Sequence, residues 1–194
     1  MASGGSGVSE VADIGNRVNW ILLLTFSLGL TALVSEASAG GPWRARVVDA
    51  ESGQPLAGVV VLAYWIRSYP SVGGWADTEY YASEEVVTGA DGRFRIGSRW
   101  SYTVPLIVKV AGPEWRIFKP GYGKWDYGDP ENGEKFDRGE EITISMPPLK
   151  TREDRLAAMK PNLLPGVVPL EQMPRLLEAV NSERVGVGLQ RIPQ

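Results

Sequence analysis

The middle of the chain alternates short apolar runs with turn residues, a pattern typical of strands joined by tight turns. Residues 44–50, RARVVDA, form a first segment with valines at its centre, which ends at the segment ESGQP, and residues 58–66 form a continuous apolar run. Glycine, proline, aspartate and serine favour turns, and short valine-rich runs favour strands. The pattern predicts two successive strands, of which the second is buried in a core.

A second strand-turn-strand unit follows. Residues 81–88 are predicted as a strand, and the segment GADG as a tight turn in which Gly92 adopts positive φ. Residues 93–96 then alternate polar and apolar, which places Phe94 and Ile96 on one face, with Phe94 as a core anchor.

Three further strands are predicted at residues 104–110, 115–118 and 141–146. Seven short strands with turns between them predict an all-β fold, namely an antiparallel Greek-key β-sandwich. The long aromatic segment 68–82 is predicted to be a loop, because it contains two glycines and is too long for a tight hairpin.

The pattern changes after the two prolines at 147 and 148. Thr151 is predicted to cap a helix that runs to about residue 160, and residues 174–183 form a second helix with Leu176, Leu177 and Val180 on one face. Short helices are marginal alone, so this C-terminal extension (residues 149–194) must pack on its own sandwich or on a partner. The sequence leaves both alternatives open.

An uncharged apolar run at residues 20–34 lies near the N-terminus, and the small residues Ala37 and Ala39 follow it. This pattern predicts a signal peptide over residues 1–39, cleaved after Ala39. The mature protein is then exported, and is periplasmic or extracellular.

An uncleaved N-terminal anchor is the alternative. Glu10 and Asp13 precede Arg17, so the region before the apolar run has little positive charge. The length of the run argues against an anchor, because its 15 residues are fewer than the roughly 20 needed to cross a bilayer core.

Composition excludes several chemistries. The chain contains no histidine and no cysteine, so a Ser-His-Asp triad, a Cys-His pair, an HExxH zinc site and any disulfide are excluded. With 20 basic and 23 acidic residues the chain has no basic excess, which argues against a nucleic-acid partner. We therefore expect a protein that is not an enzyme and needs no cofactor.

Three segments carry a family resemblance. Asp49 with SGQPLAG at residues 52–58, DGRFRI at 91–96 and FKPGY at 118–122 occur in an order that resembles the carboxypeptidase regulatory-like domain. This resemblance covers residues 42–148 and implies a transthyretin-like (prealbumin-like) sandwich domain over residues 40–148. It implies accessory, adhesive or scaffold roles. The similar hydrolases of purine degradation depend on histidines, which this chain lacks.

Two aromatic segments are the candidate ligand-binding surface. Aromatic side chains on loops at the edge of a sandwich can form a platform for a sugar ring or an apolar patch. Trp75 and Trp125 are predicted to be exposed, and the alternative is that all these rings cover the ends of the core. The candidates are Tyr69, Trp75, Tyr80, Tyr81, Trp115, Tyr122, Trp125 and Tyr127.

An acidic segment follows the second aromatic segment. Asp126, Asp129 and Glu131 are weak calcium candidates, because their spacing does not match an EF-hand. A solvated loop balanced by nearby lysines is the simpler explanation, so no metal site is predicted.

Together these features predict an exported, non-catalytic β-sandwich module for binding or structural support. Its aromatic loops would contact a glycan, peptide or protein at the cell envelope. The alternative is an accessory subunit of a cell-envelope complex, docked through the C-terminal helical extension. Contact with a membrane is expected only if the leader is uncleaved, and the sequence does not indicate an oligomeric state.

Overall fold

The computed structural model describes residues 38–101, 107–125, 136, 140–159 and 163–193. The leader run at residues 20–34 lies outside them, as do Asp126, Tyr127, Asp129 and Glu131. The strands are β1 (Ser38–Gly40), β2 (Trp43–Asp49), β3 (Val60–Ser71), β4 (Gly74–Val87), β5 (Arg93–Ile96), β6 (Arg99–Ser101), β7 (Lys109–Lys119), β8 (Gly123–Trp125) and β9 (Glu141–Met146). The helices are α1 (Arg152–Ala158), a 3-10 turn (Leu170–Gln172) and α2 (Pro174–Gly186).

The described strands form two main sheets and a short ribbon. The small sheet has the order β5-β2-β9, the large sheet has the order β4-β3-β7-β8, and β1 pairs with β6. The protein is therefore mostly β, as the sequence predicts, with two short α-helices in its C-terminal part.

One strand pair departs from the predicted antiparallel arrangement. β2 and β9 are parallel, with Arg44 opposite Glu141 and Asp49 opposite Met146. A tight turn forces antiparallel pairing only on strands that follow each other, and β9 reaches β2 from far along the chain. The prediction of a wholly antiparallel sandwich is wrong at this pair.

The predicted loop at residues 68–82 is wrong as well. β3 and β4 form one long hairpin in which Ser71 pairs with Gly74, so that only Val72 and Gly73 lie between the strands. Gly74 has a φ of 126°, which permits the tight turn. Aromatic and β-branched residues favour extended backbone, and here this preference extends both strands far beyond the predicted bounds.

Inward side chains of the two sheets form the first core. Trp43 lies at one end of this core, with its ring centroid 5.9 Å from those of Trp65 and Trp115. Phe94 is 6% exposed, which confirms its prediction as a core anchor. The other fully buried residues of this core include Ala45, Val47, Val61, Ala63, Ile96, Ile117, Ile144 and Met146.

A second core lies on the opposite face of the large sheet. Residues of β3 and β7 on this face contact the C-terminal extension, and the buried members are Val60, Leu62, Tyr64, Phe118, Leu163, Val168, Met173, Leu176 and Val180. β3 is therefore covered on both faces, which explains its continuous apolar run.

The C-terminal extension thus packs on its own domain. Leu176, Leu177 and Val180 are buried, as the helical pattern predicts. The predicted cap is confirmed too, because the Thr151 hydroxyl accepts the backbone N–H of Asp154 at 3.1 Å. No helix within the described residues is long and apolar enough to cross a membrane.

Candidate functional site

The three motif segments meet at one corner of the sandwich. Asp49 ends β2, and its Oδ1 accepts the backbone N–H groups of Glu51 at 2.9 Å and Ser52 at 2.7 Å. Its Oδ2 accepts the Tyr122 hydroxyl at 2.8 Å. The N–H of Ser52 and the Tyr122 hydroxyl lower the pKa of Asp49, and the same carboxylate raises the pKa of Tyr122.

A buried threonine completes this corner. The Thr88 hydroxyl donates to the carbonyl of Leu56 at 2.7 Å and accepts the N–H of Val59 at 2.9 Å. Gly92, at a φ of 73° as predicted, lies so close to β2 that a Cβ atom there would be 2.4 Å from the Val47 carbonyl oxygen. The motif residues therefore hold turns together, which is a structural task.

The predicted aromatic platform is not a single surface. Trp115 is 2% exposed and Trp125 is 3% exposed, and both belong to the first core. Their rings contact Phe136, which stacks on Trp115 at 4.2 Å. The predicted exposure of Trp125 is wrong, because β7 and β8 turn both tryptophans inward, and neither ring is available to a ligand.

The tyrosines are partly buried in separate places. Tyr81 packs against the first core, whereas Tyr80 packs against the second. The Tyr80 hydroxyl lies 3.3 Å from Oε1 of Gln172 on the 3-10 turn. Tyr122 is held by the carboxylate of Asp49. Tyr127 lies outside the described residues, as does the side chain of Trp75.

Tyr69 belongs to the outer part of the β3–β4 hairpin, the most exposed of these places. Its hydroxyl lies 3.4 Å from Oε2 of Glu79, which also forms an ion pair with Arg67 at 2.9 Å. β3 pairs with β7 only as far as Ser68, so beyond it β3 pairs with β4 alone. Val72 at the tip is fully exposed.

Two concave surfaces lie beside α2. The larger has a volume of about 510 Å³ and is lined by Val60, Val87, Pro120, Arg175, Glu178 and neighbouring small residues. The smaller has a volume of about 220 Å³ between the 3-10 turn and α2. Within the described ranges no group of three or more acidic side chains is placed to hold a metal ion, and the calcium candidates fall outside those ranges.

Two carboxylates that attach α2 to the sandwich were not recognised from the sequence. Glu183 is 2% exposed, accepts the Arg155 guanidinium at 2.6 Å and 2.7 Å, and accepts the N–H of Gly121 at 3.0 Å. Glu85 on β4 accepts the N–H groups of Arg175 and Leu176 at the start of α2. A glutamate in a helix or strand is ordinarily solvated, so no local pattern distinguishes these two.

No protein-family model matches this chain, and no curated protein is similar to it. The carboxypeptidase regulatory-like resemblance therefore depends on the motif residues of the sequence alone.

Proposed function

We propose that this chain is an exported, non-catalytic binding module of the carboxypeptidase regulatory-like type, in which seven strands of the two sheets form a Greek-key sandwich. Its binding element is the outer half of the β3–β4 hairpin. The observation that carries the proposal is the two-stranded extension of this hairpin, which ends at the fully exposed Val72. Monomeric proteins gain nothing in stability from a fully exposed apolar side chain at such a tip.

The hairpin suits recognition for two further reasons. Its strands continue directly from the buried part of β3, so the tip is positioned by a rigid core. The paired side chains of Arg67, Tyr69 and Glu79 present both a ring and charges on this ribbon. Such a mixture of aromatic and polar groups suits a protein surface or a glycan.

The alternative of an accessory subunit docked through the C-terminal extension has less support. The apolar face of α2 is already occupied by β3 and β7 of the same chain. A partner of the extension would have to bind its outer surface, for example at the concave surface beside Val87 and Arg175.

The test compares two single substitutions in the full chain. Val72→Asp changes the hairpin tip, and Val185→Asp is the control, because Val185 is also exposed, at 54%, but lies on α2. Glycan arrays and quantitative co-purification from the native envelope are run with both variants and the unmodified protein. We expect ligand binding to be lost only in Val72→Asp, with no change in melting temperature. Binding that survives Val72→Asp would overturn the assignment of the hairpin.

A further inference from the structure

The outer face of the small sheet carries four arginines in two cross-strand pairs. Arg44 on β2 lies opposite Arg95 on β5, and Arg46 lies opposite Arg93. All four alternate with inward residues, so they share the face that points away from the first core. Like charges directly opposite each other destabilise a sheet, so this arrangement is unfavourable for folding alone.

Only part of this charge is neutralised within the domain. Nε of Arg93 donates to both carboxylate oxygens of Glu141, at 3.1 Å and 3.0 Å. Asp91 lies 3.9 Å from Arg93, and its carbonyl accepts Nε of Arg46 at 3.3 Å. Among the described residues neither Arg44 nor Arg95 forms a hydrogen bond or an ion pair; the two face each other across β2 and β5, and Arg44 also lies opposite Glu141 of β9.

The four arginines also lie close together. Neighbouring strands are about 5 Å apart, and outward positions along a strand are about 7 Å apart, so the four Cα atoms span one small rectangle. The remaining outward positions of β9 are Thr143 and Ser145, which are exposed and uncharged. Such an exposed surface fits several closely spaced anionic groups, rather than one buried ligand.

The linker between the apolar run and the arginine face is short in sequence. Three residues separate the apolar run at 20–34 from β1. Gly41 and Pro42 then lead directly to β2, the central strand of the arginine face. A leader retained in a bilayer would therefore be joined to the domain by a short linker.

The pairing of β1 favours a retained leader. The predicted cleavage point after Ala39 falls inside β1, where Ser38 and Ala39 pair with Ser101 and Trp100 of β6. Cleavage there would leave Gly40 as the only remaining residue of the strand.

We propose that the four-arginine face of the β5-β2-β9 sheet binds the anionic phospholipid surface of the membrane in which the N-terminal apolar run stays anchored. Each cation close to an anionic membrane surface raises the ratio of membrane-bound to free domain about fivefold. Arg44 and Arg95 contribute most, since neither forms an ion pair within the described residues and the carboxylate of Glu141, which lies opposite Arg44, is bound to Arg93. This surface is separate from the hairpin tip and does not depend on the function proposed for the hairpin.

The test uses the full chain in lipid nanodiscs. The chain has no native cysteine, so one introduced cysteine is a unique labelling site. A fluorophore at Thr143→Cys reports on the arginine face, and one at Ser182→Cys, on the exposed side of α2, is the control. Energy transfer to a headgroup-labelled lipid is compared between phosphatidylcholine discs and discs that contain phosphatidylglycerol.

We expect transfer from position 143 to rise with phosphatidylglycerol and to fall at high salt, while transfer from position 182 changes little. Arg44→Gln with Arg95→Gln should lower the ratio of bound to free domain roughly 25-fold. Lys109→Gln with Arg175→Gln, which removes the same charge elsewhere, should leave it unchanged. Because the first pair of substitutions removes repulsion, its melting temperature should be equal to or above that of the unmodified chain.

Three results would overturn the proposal. The first is equal transfer from position 143 in both kinds of disc. The second is binding of a soluble acidic polysaccharide by the same arginines with no response to phosphatidylglycerol, which would assign the face to an acidic glycan. The third is a chain that begins at Gly40 when isolated from its native membranes, since it would lack the anchor.

Discussion

Asp49 and Tyr122 are separated by 73 residues in the chain and joined by a hydrogen bond of 2.8 Å, in which the tyrosine hydroxyl donates to Oδ2 of the aspartate. The bond connects the turn after β2 in the small sheet to the turn between β7 and β8 in the large sheet. It therefore ties the two sheets together at the corner where all three motif segments meet.

This bond makes stability depend on pH in a predictable way. The pKa of Asp49 is lowered in the folded state, so its contribution is complete above about pH 3.9 and is lost as the pH falls through the folded value. The pKa of Tyr122 is raised, so its contribution is complete below about pH 10 and is lost as the pH rises through the folded value. Tyr122→Phe should therefore lower the melting temperature most between these limits.

The measurement is thermal unfolding followed by circular dichroism across the pH range. The control is Tyr69→Phe, which removes an exposed hydroxyl that lies 3.4 Å from Glu79. The melting temperature of Tyr69→Phe should stay close to that of the unmodified chain at every pH. A Tyr122→Phe difference that is constant down to pH 2 would contradict the role of Asp49.

Two glycines allow a matched test of close packing at the corner. Gly53 and Gly92 have φ angles of 69° and 73°, but a Cβ atom meets nothing within 4 Å at Gly53 and lies 2.4 Å from the Val47 carbonyl oxygen at Gly92. Gly53→Ala should lower the free energy of unfolding by about 1 kcal/mol, because alanine is strained in the left-handed backbone conformation. Gly92→Ala should lower the free energy of unfolding clearly more than Gly53→Ala does, because the backbone of β2 must also move. Equal losses in urea unfolding would show that β2 yields freely at this position.

The buried Glu183 should contribute far more than an exposed glutamate of the same helix. Glu183→Gln removes a charged acceptor from Arg155 and should lower the free energy of unfolding by about 2 kcal/mol. Glu178→Gln is the control, because its ion pair with Arg191 is exposed and should contribute at most about 0.5 kcal/mol. Urea unfolding of both variants measures the two losses in free energy of unfolding. Losses of similar size would mean that Glu183 is solvated.

Removal of the C-terminal extension should abolish folding of the sandwich. Truncation after Lys150 would expose the outer face of the large sheet, where Val60, Leu62 and Phe118 are now at most 5% exposed. Each such side chain loses about 1.5–3 kcal/mol of burial, a large fraction of the stability of a small domain. Solubility and circular dichroism provide the measurement, and a soluble, cooperatively unfolding fragment would contradict this prediction.

Phe94→Ala tests the first core in the same way. Phe94 contacts Trp115 and Phe136, with ring centroids 6.4 Å and 6.2 Å away. Its removal should cost about 3–5 kcal/mol. An unchanged melting temperature would show that the ring is not needed in the core.

Local pattern and composition determined much of this protein's architecture. Alternation in residues 93–96 placed Phe94 inward, turn chemistry required positive φ at Gly92, and Thr151 is the cap of α1. These features follow from neighbours in the chain, because side-chain direction and backbone angles are set within a few residues. The absence of histidine and cysteine likewise excludes whole classes of chemistry, however the chain folds.

Tertiary structure decided which surfaces are available. The residues around Trp125 are typical of a loop, and nevertheless Trp125 lies in the core. The segment after Ile66, predicted as a loop, continues as a hairpin. The motifs R-A-R at residues 44–46 and R-F-R at residues 93–95 show the two-residue period of exposed strand positions, but only the register reveals that the four arginines face each other. Contacts between distant residues determine burial, strand register and whether α2 packs on its own sheet or on a partner. A local pattern does not encode such contacts.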